Sequence, residues 1–330
     1  MANTIDDLPE IPLMGSVCSV RDVFEAHRGR AEALLDVCER MYPRWGLRLG
    51  DASGRLWMRR TSMPYAADVE YIAAAVRRPG VRTLNLSYEW GCSTMARDDG
   101  EGGVQMFRAL DWAIPGMANK LVVARHAGPA GSYLHMAYPG FAGHLQGMAP
   151  GRFAAAINRA PFANRAWTRS GALLRSVGSF LHETGAPPAF LLRRVFEECK
   201  DYKEALHVLT HTPLCVPALF TVAGVNPGEY AVVERLPRTF KIHAAPPVVT
   251  NHWLNPEWPG RDRRRHLSRE RYDCMKAGYH DYKGAFDWLV PPVLNEDTRL
   301  AFEANPRKGT LRVQAFEGAQ AVTRVLAIGG

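Results

Sequence analysis

Apolar positions recur at spacings of three and four through roughly the first 90 residues, and this period predicts helices. Ser19 followed by Asp22 reads as an N-cap. Leu34, Leu35, Cys38, Met41 and Tyr42 then share one helical stripe. A second helix is expected from near Pro64, carrying Val69, Ile72, Ala73 and Val76 on one face and stopped by Pro79-Gly80. Leu84, Leu86, Tyr88 and Trp90 lead to Gly91-Cys92, where the texture changes. Short runs at 104–110, 120–125, 132–138 and 153–158 predict strands of one antiparallel meander, with Asp-Gly, Pro-Gly and Gly-Pro turns between them. Helical spacing returns near Pro188 (Leu191, Leu192, Val195, Phe196, Cys199) and again at Tyr202, Ala205, Leu206 and Leu209. Strands are expected at 218–223, 230–234 and 247–250, a helix at 265–275, and strands at 310–316 and 321–327. Helices, strands, helices and strands in that order predict an α+β layered fold.

Composition narrows the classes. With 47% hydrophobic and 22% charged residues, the 330-residue chain has the make-up of an ordinary globular protein that can bury a large core. Asp6, Asp7 and Glu10 stand where a secretory signal needs positive charge. The longest apolar run, Cys215 to Gly224, is interrupted by Pro217 and is far short of the ~20 residues that span a bilayer. The expectation is a cytoplasmic protein without a transmembrane segment. Six dispersed cysteines, without a CxxC pair, predict free thiols, no disulfide framework and no zinc or other cofactor. The formal charge of +8 is concentrated at Arg261, Arg263, Arg264, Arg265, Arg269 and Arg271. No nucleic-acid-binding motif accompanies this run. It reads as a solvated helix start, with attraction to an anionic partner as the alternative.

The candidate chemistry lies around Gly91-Cys92-Ser93-Thr94 and Phe107-Arg108-Ala109-Leu110-Asp111. Arg108 and Asp111 interrupt an apolar run, and burying either without a partner is costly. Three residues apart, they point to opposite faces of a regular strand. Convergence on one site requires a bend near Ala109-Leu110 or Asp111 at the strand end. An arginine beside a cysteine favours thiolate.

Cys92, Arg108 and Asp111 resemble the nucleophile region of the N-terminal-nucleophile cysteine hydrolases, the superfamily of acid ceramidase, N-acylethanolamine acid amidase, bile salt hydrolase and isopenicillin N acyltransferase. Further segments resemble it in the same order: Met63 through Trp90, Tyr138 to Gly147, Ile157-Asn158, Gly185 to Phe190 with Arg193 and Ala205 to Leu209, and Val248-Val249-Thr250-Asn251-His252. The resemblance implies an αββα sandwich made as a precursor. Residues 1–91 would be a helical pro-segment and 92–330 the catalytic domain, associated after self-cleavage. It implies Cys92 as nucleophile, its freed α-amine as base, Asp111 orienting that amine and Arg108 supporting the thiolate. Asn251 matches an oxyanion-hole asparagine, and Asn158 a second active-site asparagine of the bile salt hydrolase branch. Arg159 stands where the ceramidase branch has a glutamate. A late active-site arginine is assigned to Arg269, with Arg264 as the alternative. His144 and His252 read as structural or substrate-lining. The expected partner is a small acyl amide, the acyl acceptor being water or an amine. Rival readings are an inactive acyl-binding relative and a basic nucleic-acid-binding protein.

Overall fold

The computed structural model describes residues 7–61, 63–87, 90–161, 184–245, 247–260 and 267–329. Strand β1 (Leu13–Val17) precedes five helices: α1 (Val20–Ala26), α2 (Arg28–Met41), α3 (Arg44–Arg60), α4 (Ala66–Val76) and α5 (Val81–Asn85). Strands β2 (Gly91–Asp98), β3 (Val104–Asp111), β4 (Val122–Gly128), β5 (Gly131–Ala137), β6 (Gln146–Ala149) and β7 (Phe153–Arg159) follow. Next come α6 (Pro188–Glu198), α7 (Tyr202–His211), β8 (Ala218–Ala223), β9 (Tyr230–Arg235), β10 (Phe240–His243) and β11 (Val248–Val249). The chain closes with α8 (Ser268–Ala277), β12 (Thr298–Asn305), β13 (Thr310–Glu317), β14 (Gln320–Ala321) and β15 (Leu326–Ile328).

Two sheets carry the fold. One runs β1-β4-β5-β6-β7-β8-β9-β10, and the other β11-β2-β3-β12-β13-β14 with β15 also on β13. The meander spans β4 to β7 only. Residues 104–110, expected to belong to it, lie instead in the second sheet, where β3 pairs with β2 and β12. The sheets face one another through β2 against β7 and β8. Helices α6 and α7 cover the outer face of the first sheet. On the outer face of the second, Met275 of α8 packs with Met95, Phe107 and Trp288. This alternation sorts β2 cleanly: Cys92 and Thr94 face the other sheet, Ser93 and Met95 face α8.

The Ser19–Asp22 signal forms a capping box on α1. Helix α3 falls within the helical first 90 residues without having been picked out, and it carries Gly46, Gly50 and Gly54, which ordinarily weaken a helix. Their spacing of four puts them on one face, and two of them let α5 approach. A Cβ on Gly50 would lie 2.5 Å from Thr83 Oγ1, and one on Gly54 3.1 Å from a Leu86 methyl. Asp51 of the same helix then accepts from the backbone N–H of Gly80 and of Thr83, each at 2.9 Å, and so caps α5. The helical segment is anchored to the rest of the chain by specific bonds. Asn85 donates to the Gly140 carbonyl (2.9 Å) and accepts from Ala142 N–H (2.7 Å). Asp68 pairs with Arg193 of α6 at 2.8 Å.

Candidate active site

Cys92 is the second residue of β2 and is 0% exposed. Its backbone N–H donates to Asn251 Oδ1 at 2.8 Å, and its thiol contacts the Ile157 carbonyl at 3.8 Å. Arg108, on the neighbouring strand and also 0% exposed, sets Nη2 3.1 Å from Cys92 Sγ. Its other donors go to Ile157 O (2.7 Å), Thr94 Oγ1 (3.0 Å), Asn158 Oδ1 (2.6 Å) and Gln146 Oε1 (3.1 Å). All five guanidinium N–H groups are thus in use. None of these five partners is a carboxylate, so a negative charge on Sγ would be the nearest complement to a buried cation.

Asp111 is the last residue of β3, opposite Gly91. Strand β12 bulges beside it, with Thr298 facing Asp111 and Leu300 facing Leu110. The two charged residues of β3 nonetheless keep to opposite faces. Arg108 addresses the sulfur from between the sheets, whereas Asp111 lies on the α8 side. There it accepts from Thr298 Oγ1 at 2.9 Å and pairs with Arg271 at 3.4 Å. Arg108 reaches residue 92 directly, and Asp111 is linked to it through Arg271, which donates to the Cys92 carbonyl.

The arginine that α8 brings to Cys92 is Arg271, where Arg269 was expected. Arg269 is exposed on α8, and Arg264 lies outside the described residues along with Arg261, Arg263 and Arg265. Arg271, 1% exposed, donates to Cys92 O (2.6 Å), Ser93 Oγ (2.7 Å) and Asn251 Oδ1 (2.8 Å). It was grouped with the solvated arginines, but helix register separates them. Ser268, Arg271 and Met275 form the buried face of α8, at i, i+3 and i+7. Ser268 fixes that register, because its hydroxyl accepts from Asn251 N–H at 2.9 Å and its carbonyl accepts from Thr250 Oγ1 at 2.7 Å.

The two asparagines differ. Asn158 donates both amide hydrogens to the carbonyls of Val249 (3.1 Å) and Thr250 (2.9 Å), so it stitches the sheets together and aims Arg108. Asn251 spends one amide hydrogen on Arg159 O (2.9 Å). Arg159 itself is buried (4% exposed). Ser93, Thr94 and Gln146 stand in segments the sequence analysis quoted but without a role assigned to them, and Thr298 joins the site without having been singled out.

Burial pushes the Cys92 thiol up to about 11. Arg108 pulls it down, Asp111 pushes it up, and Arg271 and Arg159 pull it down. Desolvation therefore outweighs three cations as long as the sulfur is shut away from water. Burial also lowers the Arg108 pKa, with the thiol and Asp111 opposing that shift.

No family model matches the chain. It is 26% identical to acid ceramidase from Bos taurus over 223 residues, 58% of this chain and 55% of that protein. It is 24% identical to N-acylethanolamine-hydrolyzing acid amidase from Cavia porcellus over 156 residues, 46% of this chain and 42% of that one. The chain spans about half the length of the curated relatives it matches. The structure of the Caenorhabditis elegans N-acylethanolamine-hydrolyzing acid amidase ortholog superposes with a TM-score of 0.51 at 19% identity, covering 65% of this chain and 92% of that one. In sequence the chain is similar to these members of the N-terminal-nucleophile hydrolase superfamily, and its fold resembles that of the nematode ortholog. Within it, acid ceramidase and N-acylethanolamine-hydrolyzing acid amidase are the relatives it resembles in sequence.

Proposed function

We propose that the protein is a cysteine amidase that cuts its own chain between Gly91 and Cys92 and then hydrolyses a linear, non-peptide acyl amide. The observation that carries this reading is the set of groups around one cysteine at a strand start: Arg108 at its sulfur, Asn251 at its nitrogen and Arg271 at its carbonyl oxygen.

In the first reaction the Cys92 sulfur attacks the Gly91 carbonyl, and the peptide shifts from nitrogen to sulfur. Water then splits the thioester and leaves Cys92 with a free α-amine. That amine, with a pKa of ~8 in an ordinary setting, takes the thiol proton in later turnovers. The thiolate attacks the substrate carbonyl, and the leaving nitrogen departs with the proton. Water releases the acid from the thioester. Asn251 is the proposed oxyanion donor through its second amide hydrogen. Asn158, whose two amide hydrogens are committed, is a positioning residue for Arg108.

An apolar cleft supports an acyl substrate. It lies between the N-terminal helices and the loop after β3, lined by Leu34, Leu35, Ile72, Trp112, Ile114 and Tyr138. Trp112, which lines it, packs against Trp90, two residues before Cys92, with ring centroids 5.2 Å apart. The names of the relatives point the same way, towards acylated amines.

Intact mass measurement of wild type and Cys92→Ala, followed by a panel of acyl amides, tests the reading. Wild type should yield pieces of 91 and 239 residues (330 − 91), and the variant one chain. An uncut but active wild type overturns the maturation step. A cut protein that turns over no acyl amide overturns the amidase reading.

A further inference from the structure

On the side of the first sheet covered by α6, three histidines meet: His126 on β4, His135 on β5 and His144 in the turn before β6. They are 3%, 2% and 0% exposed. One ring nitrogen from each lies within 4.8 Å of those from the other two. His126 Nε2, His135 Nδ1 and His144 Nδ1 are buried and make no hydrogen bond. Buried polar atoms are normally satisfied, and three orphans on rings whose centroids lie 3.7–5.6 Å apart call for a shared partner.

The opposite ring nitrogens of His126 and His144 are held as those of metal-bound histidines are. His126 Nδ1 lies 2.7 Å from the Cys18 carbonyl, which can only accept, so that nitrogen carries the hydrogen and Nε2 keeps its lone pair. His144 Nε2 lies 3.0 Å from the Tyr133 hydroxyl. Burial lowers the pKa of all three rings, so each is neutral and able to ligate. The Gly143 carbonyl raises His144 only weakly. The charges facing the group are Arg193, itself paired with Asp68 and Glu197, and on the His126 side Glu197 and Asp22.

We infer that His126, His135 and His144 form a structural site for one divalent transition-metal ion of the zinc, cobalt, nickel or copper type. Three neutral imidazoles suit these ions and not magnesium or calcium. Nitrogens at 2.0–2.1 Å from zinc lie roughly 3.3 Å apart, so the rings close by no more than roughly 1.5 Å on binding. His135 and His144, now stacked at 3.7 Å, tilt to do so. The ion would tie β4, β5 and the turn before β6 together beneath α6. Through Cys18 it would also reach the helical segment that precedes Cys92. The histidines stand nine residues apart in sequence, a spacing without a local motif.

The test uses the full chain with His207→Gln and His211→Gln, which removes a stacked histidine pair (4.2 Å) on α7 that could bind metal adventitiously. After chelator treatment, Zn²⁺ or Co²⁺ alone is titrated in. The expected result is saturation at one ion per chain, a rise of several degrees in Tm and a tetrahedral cobalt spectrum. His135→Phe and His144→Phe should each weaken binding at least a hundredfold. Absence of one-to-one binding, or binding unchanged in both variants, overturns the site. Should the variants fail to fold, zinc-edge absorption on the parent protein decides. Three imidazole nitrogens at 2.0–2.1 Å support the site, and a shell of sulfur or oxygen overturns it.

Discussion

Arg271 donates to the backbone carbonyl of Cys92 at 2.6 Å from a helix that lies on the far side of the sheet from the thiol. The same guanidinium touches Asn251 and pairs with Asp111, so it ties together three of the residues around the proposed cleavage point. Arg271→Ala should therefore leave the Asp111 carboxylate buried without its cation. Breaking a buried pair in this way costs about 3–5 kcal/mol, and self-cleavage should be lost with it. Arg269→Ala, two positions away and exposed, should change stability by no more than about 0.5 kcal/mol. Urea unfolding and intact mass on the two variants check this, and equal effects at both positions would remove Arg271 from the site.

Asn251→Ala separates an oxyanion donor from a structural clamp. Losing such a donor typically lowers kcat by about 10² to 10³. Because the first reaction also passes through a tetrahedral oxyanion, turnover should be normalised to the cleaved fraction. Asn251→Asp keeps the acceptor for Cys92 N–H and for Arg271 but loses the amide hydrogens. It should retain more stability than the alanine variant while remaining slow. A normalised kcat within threefold of wild type in both variants is the outcome that excludes Asn251.

Thiol chemistry should report the cleavage. In the uncut chain Cys92 is sealed, and burial holds its pKa near 11, so a thiol reagent at pH 7.5 should reach the half-buried Cys18 and Cys274 first. Freeing the new N-terminus exposes the sulfur to its amine and to water, which relieves the desolvation that outweighs Arg108. A reactive acyl analogue should then label Cys92 in cleaved protein and not in an uncut preparation. Mass mapping of the labelled peptide checks this, and equal labelling before and after cleavage contradicts it.

The buried histidines make a prediction about acid. Their pKa values are lowered in the fold, so the unfolded chain binds their protons more readily. Metal-free protein should be fully stabilised by this group above about pH 6.5, the ordinary histidine value. It should lose that stability as pH falls below it, by up to about 1.4 kcal/mol per pH unit for each histidine. Urea midpoints at pH 7.5, 6.0 and 5.0 measure the slope, and His135→Phe should flatten it. Arg193, Glu197 and Asp22 face the same group, so the comparison is made within one pair of proteins and not between proteins.

Local signals carried much of the architecture. The Ser19–Asp22 cap, the stripe through Val69 to Val76 and the strand runs at 120–125, 132–138 and 153–158 each depend on neighbours in sequence, and each appears as an element there. What escaped depended on tertiary partners. Strand β12 carries Arg299 and Glu303, which break its apolar pattern. In the fold Glu303 accepts from Trp288 Nε1 and the Phe286 N–H, and Arg299 donates to Ile114 O. Arg271 was hidden by its exposed neighbours until the start of α8 fixed which residues face inward. Asn158 was visible as a candidate, but nothing in one sequence says that both its amide hydrogens are already given away to Val249 and Thr250.

Every N–H of Arg108 is committed to an acceptor, and four of the five acceptors are not the sulfur. Such a side chain cannot swing to follow a substrate or retreat into solvent when the site is vacant. Its charge is a fixed element of the electrostatic field at residue 92, set when the sheets close and not when a ligand arrives. Negative charge appearing on the sulfur then meets dipoles and a cation that need no reorganisation, which is the condition under which an interior field contributes most to a reaction. A lysine, with three donors and no planar fork, could bring the charge but not the immobility.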